Sequence, residues 1–226
     1  MRRYPLPNRT ERPTCIVLAA GDFPSGEVAR ALLENAEQVI CCDSAAEEFC
    51  AWGGVPTAIV GDMDSLPEVL RERFAERLVV RPDQHTNDLW KAVTYAIEQG
   101  YRKITVLGAF GKREDHTLGN LMLLAARLHE ADLQMVGDRG LFNFIGEPSE
   151  FESFEGQQVS LFVLDPTAEI SVQGLRYEPP QNHLAAMWQG VSNESLCKAF
   201  TITTNTPTIV YRLFLADGAI SEVQHP

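Results

Sequence analysis

Between residues 14 and 138 the chain alternates short apolar runs with longer stretches whose apolar residues recur every three or four positions. The runs are 15–18, 38–42, 58–60, 78–80, 104–107 and 133–136, each of strand length. The stretches between them, 26–36, 44–52, 66–75, 86–99 and 116–130, are long enough for helices. Strand and helix in alternation predict an α/β domain whose mostly parallel sheet carries helices on its faces. After Gly146 the pattern changes. The segments 158–164, 169–172, 183–188, 197–204, 208–214 and 219–223 are short, β-rich and separated by Gly, Pro or Asn, and none carries a helical period. They predict a smaller all-β domain, a sandwich or barrel. The expected division is an α/β domain over 14–146 and a β-rich domain over 150–226, with the boundary at 146–153. Residues 1–13, rich in Arg and Pro, read as a loose leader.

Length and composition narrow the function classes. A chain of 226 residues, 45% hydrophobic and 22% charged, has the make-up of an ordinary globular protein with a substantial core. Its formal net charge of −12 argues against a nucleic-acid surface. That charge does not exclude a nucleotide, because a divalent cation can bridge carboxylates to phosphate. The five cysteines are odd in number and lack zinc-like spacing; Cys15, Cys41 and Cys42 sit in strand-like runs and read as small buried hydrophobes. No run reaches membrane-span length and no apolar signal core opens the chain, so a reducing cytoplasm is the expected compartment and no membrane partner is expected.

Chemistry-bearing residues collect where the predicted strands end, which is where ligands bind in open parallel sheets. Asp43 follows the second run, and Gly61-Asp62-Met63-Asp64-Ser65 follows the third. Two carboxylates one residue apart repel unless a cation lies between them, and oxygen-only ligands suit Mg²⁺. Asp83-Gln84-His85-Thr86-Asn87-Asp88-Leu89-Trp90-Lys91 follows the fourth run and opens a helix. Gly108-Ala109-Phe110-Gly111-Lys112-Arg113-Glu114-Asp115-His116 follows the fifth, with Asn120 one turn further. Each has a plain structural alternative: Asp43 or Thr86 as a helix cap, the Gly-rich stretch as a turn, Lys112 and Arg113 as a solvated face. Together they describe a site for a metal-bound polyphosphate, in which carboxylates hold the ion and the basic loop takes up remaining negative charge. There is no G-x-x-x-x-G-K-[ST] loop, and 21–26 does not match G-x-G-x-x-G, so a P-loop ATPase and a dinucleotide oxidoreductase are both disfavoured.

In this order and spacing, these motifs resemble the thiamine pyrophosphokinase (thiamine diphosphokinase) family. Val191-Ser192-Asn193-Glu194 is similar to that family's Ser-Asn signature, so the likeness runs from about residue 15 to about residue 215. The resemblance implies transfer of the terminal diphosphate of ATP to the hydroxyl of thiamine, releasing AMP. It also implies an ATP- and Mg²⁺-binding catalytic domain, a thiamine-binding and dimerisation domain, and a homodimer with active sites between subunits. Carried over by position, Asp43, Asp62, Asp64 and Asp88 would surround Mg²⁺ and the ATP phosphates. Gln84, Thr86, Lys91, Lys112, Arg113, His116 and Asn120 would bind ATP and its phosphates. Asp115 would lie near the reacting groups, and either it or Asp88 would accept the hydroxyl proton. Ser192 and Asn193 would meet thiamine from the partner subunit. Many members carry a more compact Gly-Gly-Arg where this chain reads Gly108-Ala109-Phe110-Gly111-Lys112-Arg113, so both basic residues remain candidates for phosphate. The family often places a Trp against thiamine after a Pro near the C-terminus; here Tyr211 is the nearest aromatic after Pro207, so the ring stack on thiamine falls to Tyr211 or is absent. The competing readings are a pyrophosphokinase acting on another hydroxyalkyl heterocycle, and a nucleotide- or thiamine-sensing module without turnover.

Overall fold

The computed structural model describes residues 1–214; the predicted run 219–223 lies outside them. Two compact units divide the chain: Pro7–Asp138, and Met1–Leu6 with the chain from Arg139 onward. The division falls before the expected 146–153, because Gly140–Ile145 pairs along its whole length with Thr208–Leu213.

The strands in chain order begin with β1 (Arg2–Tyr4), which belongs with the C-terminal unit. In the N-terminal unit follow β2 (Ile16–Leu18), α1 (Glu27–Asn35), β3 (Val39–Cys42), α2 (Ala45–Ala51), β4 (Ala58–Gly61), α3 (Glu68–Arg73), β5 (Leu78–Val80), α4 (Asp88–Glu98), β6 (Lys103–Leu107), α5 (Glu114–Ala126) and β7 (Asp132–Val136). The six strands from β2 to β7 pair in parallel in the order β7-β6-β2-β3-β4-β5. Every residue of β2, β3 and β4 is buried, as strands covered on both faces require. Helix α4 is amphipathic: Leu89, Ala92, Val93 and Ala96 form its buried stripe against β3 and β4. The strand order reverses between β2 and β6, so the crevice beyond their carboxyl ends is a topological switch point.

The C-terminal unit contains β8 (Gly140–Ile145), β9 (Ser149–Glu152), β10 (Gln158–Val163), β11 (Ile170–Gln173), β12 (Asn193–Glu194), β13 (Ala199–Thr204) and β14 (Thr208–Leu213). They form two sheets, β12-β10-β14-β8 and β1-β9-β13-β11, around a core that includes Tyr4, Phe151, Val159, Leu161, Phe200, Ile202 and Val210. This is the sandwich form of the expected all-β domain.

Two expectations are corrected here. Residues 1–13 are not wholly a loose leader: β1 runs parallel to β9, and Tyr4, only 4% exposed, stacks on Phe151 at 5.0 Å. The run 183–188 forms no strand. It runs from the 3₁₀ turn at Pro180–Asn182 into the one at Met187–Gly190, because consecutive prolines remove backbone donors and Gln181 and Asn182 both take left-handed φ.

Candidate active site

The acidic turn after β4 is shaped by three constraints. A Cβ on Gly61 would lie 2.8 Å from Asp43 Cβ and 3.3 Å from Asp88 Oδ1, so only glycine lets the strand end pass between these carboxylates. Met63 takes a left-handed φ of 70° with its side chain buried, between the half-buried Asp62 and the exposed Asp64. Arg71 of α3 braces the turn, its Nη2 donating to Met63 O and its Nε to Leu66 O at 2.9 Å. Asp64 N donates to Asp62 Oδ1 at 3.2 Å, and this bond is the first cause of a lowered Asp62 pKa. Asp43 is 1% exposed. Its Oδ2 accepts from Ser65 N (3.3 Å) and Ser65 Oγ (2.8 Å), while its Oδ1 is buried without a hydrogen-bond partner.

Helix α4 delivers the next group. Asn87 caps it, its Oδ1 accepting from Trp90 N at 2.9 Å, so its cap is not Thr86; nor does Asp43 cap α2, whose N-cap position is Ser44. Thr86 Oγ1 instead donates to Asp83 Oδ2 at 2.5 Å. One turn into the helix, the buried Lys91 ammonium donates to Asp88 Oδ1 (3.0 Å) and Asp62 Oδ2 (3.3 Å). Burial works against its charge, yet the bonds and charges of Asp88 and then Asp62 outweigh this and raise its pKa. Asp88 moves upward as well, chiefly by desolvation. Gln84 Nε2 joins the cluster through Asp62 Oδ2 at 3.3 Å. Among the described residues no three His, Cys, Asp or Glu side chains form a metal-ligating group; the carboxylates face an ammonium instead.

At the switch point the loops after β2 and β6 zip together: Ala19 N to Leu107 O (2.8 Å), Gly21 N to Gly108 O (2.7 Å) and Asp22 N to Phe110 O (2.7 Å). Gly21, Gly108 and Gly111 permit this approach, since a Cβ on any of them would strike the facing loop. A cavity of about 310 Å³ opens there, lined by residues including Gly21, Asp88, Lys112, Arg113, His116 and Asn120. Lys112 Nζ pairs with Glu48 Oε1 at 2.9 Å, while Arg113 grips both oxygens of Asp115 at 3.1 and 2.6 Å. The Arg113 hydrogen bonds are the first cause of a lowered Asp115 pKa. The buried Asn120 fixes the loop, donating from Nδ2 to Ala109 O at 3.2 Å.

The C-terminal unit has its own cavity, of about 440 Å³, lined by Tyr177, Glu178, Trp188, Ser192, Asn193 and others. Ser192 takes a left-handed φ of 62°, with its backbone N bonded to Ser160 Oγ at 3.2 Å. The Asn193 amide is committed to the opposite wall: Oδ1 accepts from Tyr177 N (3.0 Å) and Nδ2 donates to Tyr177 O (2.7 Å). Tyr211 is outside this lining; it lies on β14, its ring 4.6 Å from Phe142.

Models of known families match both units. "Thiamin pyrophosphokinase, catalytic domain" covers residues 29–136, and "Thiamin pyrophosphokinase, substrate-binding domain" covers 140–211. The chain belongs to the thiamin pyrophosphokinase family. It is 30% identical over 138 residues to thiamine pyrophosphokinase 1 of Oryza sativa subsp. japonica, a stretch covering 54% of this chain and 52% of that protein. The match therefore spans about half the length of that relative. Among solved structures, thiamine pyrophosphokinase from Bacillus subtilis matches with a TM-score of 0.72 at 20% identity, covering 90% of this chain and 99% of that one. Thiamin pyrophosphokinase from Candida albicans matches with a TM-score of 0.73 at 13% identity, covering 94% and 92% respectively. These likenesses show a shared fold.

The structure gathers the residues nominated through the thiamin pyrophosphokinase resemblance into groups. Asp62, Asp88, Lys91 and Gln84 are linked directly by hydrogen bonds, with Asp43 and Asp64 bound into the same turn. Lys112, Arg113, His116 and Asn120 share the switch-point cavity with Asp88. Thr86 and Asp115 are not in that cavity's lining. The sequence reading did not nominate Arg71 and Asn87, which position the site. A single arginine among several on a charged helix gives no signal of its own.

Proposed function

We propose that this chain transfers the diphosphate of ATP to the hydroxyl of thiamine, giving thiamine diphosphate and AMP. The observation that carries the reading is the meeting of Asp62, Asp88 and Lys91 at one sheet edge, beside a cavity lined by Lys112 and Arg113, in a chain of this family. Mg²⁺ fits the donors by their chemistry: they are all oxygens, and the buried Oδ1 of Asp43 lacks a partner. Asp62, Asp64 and Asp88 would hold the ion, with Asp43 behind them. When bound, it neutralises phosphate oxygens and favours departure of AMP.

The chain's own groups do the rest. The cavity takes the nucleotide. Lys112 and Arg113 exchange their present partners, Glu48 and Asp115, for phosphate oxygens. Arg113 thereby frees both oxygens of Asp115, and either it or Asp88, whose carboxylate lines the cavity, accepts the hydroxyl proton as the thiamine oxygen bonds to the β-phosphorus. The bond from that phosphorus to the bridging oxygen breaks, and the oxygen leaves with AMP. Asn120 keeps the loop in place throughout. The homodimer implied by the resemblance is part of this reading, with the Ser192–Asn193 pocket of one chain serving the nucleotide site of the other, in a cytoplasmic enzyme.

Incubation with ATP, Mg²⁺ and thiamine tests the reading. AMP release should require thiamine and stop on chelation of the metal. Release that ignores thiamine, or no release, contradicts it.

A further inference from the structure

The basic loop after β6 turns back on α2. Gly111 and Lys112 take successive left-handed φ values of 72° and 54°, and Arg113 N donates to Gly111 O at 2.5 Å across them. A left-handed φ is costly for lysine, so this turn is held by its surroundings. Two acidic groups border its tip. The Asp22 carboxylate fills the space that a Cβ on Gly111 would need, and Glu48 Oε1 accepts from Lys112 Nζ at 2.9 Å.

Glu48 is firmly mounted. Beside it on α2 the buried Phe49 stacks on Trp52 at 5.9 Å, and Trp52 in turn meets Phe23 at 5.8 Å. Phe23 directly follows the segment zipped to the β6 loop, so α2 and both loops form one frame. The two basic residues of the loop are therefore held differently. Arg113 pairs with Asp115, two residues along the same segment, whereas Lys112 pairs with a carboxylate on another element, 64 residues away in the chain.

An ammonium at an anion site needs a counter-ion, and a carboxylate fixed at hydrogen-bonding distance always supplies one. A polyphosphate that uses Lys112 has to displace Glu48 first. Both side chains are partly exposed, and such a pair is closed in about two thirds to four fifths of molecules. Lys112 is then free in the remainder, which lowers the apparent affinity for phosphate about three- to fivefold.

We propose that Glu48 is a positioning residue that competes with the nucleotide's phosphates for Lys112 and so sets how tightly the switch-point cavity holds ATP, a role that rests on the nucleotide reading above. Nucleotide binding then unlatches the loop tip from α2.

The test is calorimetric titration of the full chain with Mg²⁺ and α,β-methylene-ATP, an analogue whose α–β bridge cannot be cleaved. Glu48→Gln should bind the analogue about three- to fivefold more tightly than the wild type. Lys112→Ala should bind it more weakly, and adding Glu48→Gln to Lys112→Ala should change nothing further, because the competitor has lost its object. Glu47→Gln removes the same charge from the neighbouring exposed position of α2 and should stay within about 1.5-fold of the wild type. Melting curves establish that each variant is folded. Unchanged or weaker binding by Glu48→Gln overturns the proposal, as does a gain that persists in the Lys112→Ala background or is matched by Glu47→Gln. The titration needs no thiamine, so a chain that shows this pattern without turning thiamine over loses the proposed reaction and keeps the role of Glu48. A wild type that does not bind the analogue removes both.

Discussion

At Gly61 one hydrogen atom decides whether the acidic turn can exist. Substituting alanine would set a methyl group 2.8 Å from Asp43 Cβ and 3.3 Å from Asp88 Oδ1, and neither neighbour can retreat without disturbing the other. Gly61→Ala should therefore cost about 1–3 kcal/mol of stability, as overpacking does, and most of the activity. A thermal melt with an AMP-release assay checks both. Asp62→Asn tests the opposite case. The amide keeps an oxygen for Lys91 and Gln84 but removes a charge from beside the buried ammonium and turns an NH₂ toward Asp64 N, so the melting temperature should fall modestly while the fold persists. Turnover should fall by two orders of magnitude or more, on the scale of losing one preorganised charge. Near-normal turnover at saturating Mg²⁺ would contradict its place in the phosphate site.

At the scale of elements, the buried thiols give a pH signature. Burial pushes the Cys15 thiol up to about 12, and Cys41 and Cys42 also move upward through desolvation. In the unfolded chain such thiols ionise near their ordinary value of about 8.5. Above that pH the folded chain holds protons that the unfolded chain has shed, so rising pH favours unfolding. Stability should be flat from neutral to about pH 8.5 and then fall, by at most about 1.4 kcal/mol per pH unit per thiol. Unfolding curves at several pH values check this, and Cys15→Ala should make the decline shallower; an unchanged slope would count against the burial argument. The strands at these cysteines, β3 with Cys41 and Cys42 and β2 just after Cys15, were legible in the sequence because parallel strands are unbroken apolar runs. The acidic and basic motifs were legible because each follows such a run. Strand β1 was not, since Arg-Arg-Tyr has no apolar pattern and its partner β9 lies far along the chain. The stretch 183–188 misled for a different reason: it links two 3₁₀ turns, with Leu184 and Trp188 on a cavity wall, and composition alone cannot tell that from a strand. The direction of Asn193, toward Tyr177, is a tertiary fact with no local signal.

For the whole molecule, the N-terminal segment and the proposed dimer make separable predictions. The buried Arg212 donates to Tyr4 O (3.0 Å), Pro5 O (3.1 Å), Glu152 O (2.6 Å) and Asn143 Oδ1 (2.9 Å), tying β1 into the C-terminal unit. Deleting residues 1–6 strips two of these acceptors and the Tyr4–Phe151 stack, and should lower the melting temperature by several degrees in calorimetry. If sites form between chains, Asp64→Asn and Asn193→Ala proteins, each impaired alone, should regain activity at low thiamine after subunit exchange, because one hybrid site is then intact. The central claim, that carboxylates and a basic loop at the switch point direct attack on the β-phosphorus, is met most directly by tracing label. ATP carrying ³²P at the γ position is incubated with the protein, Mg²⁺ and thiamine, and the products are separated. The label should appear in thiamine diphosphate with an equal amount of unlabelled AMP. Label in thiamine monophosphate alongside ADP would show attack on the γ-phosphorus and contradict the account.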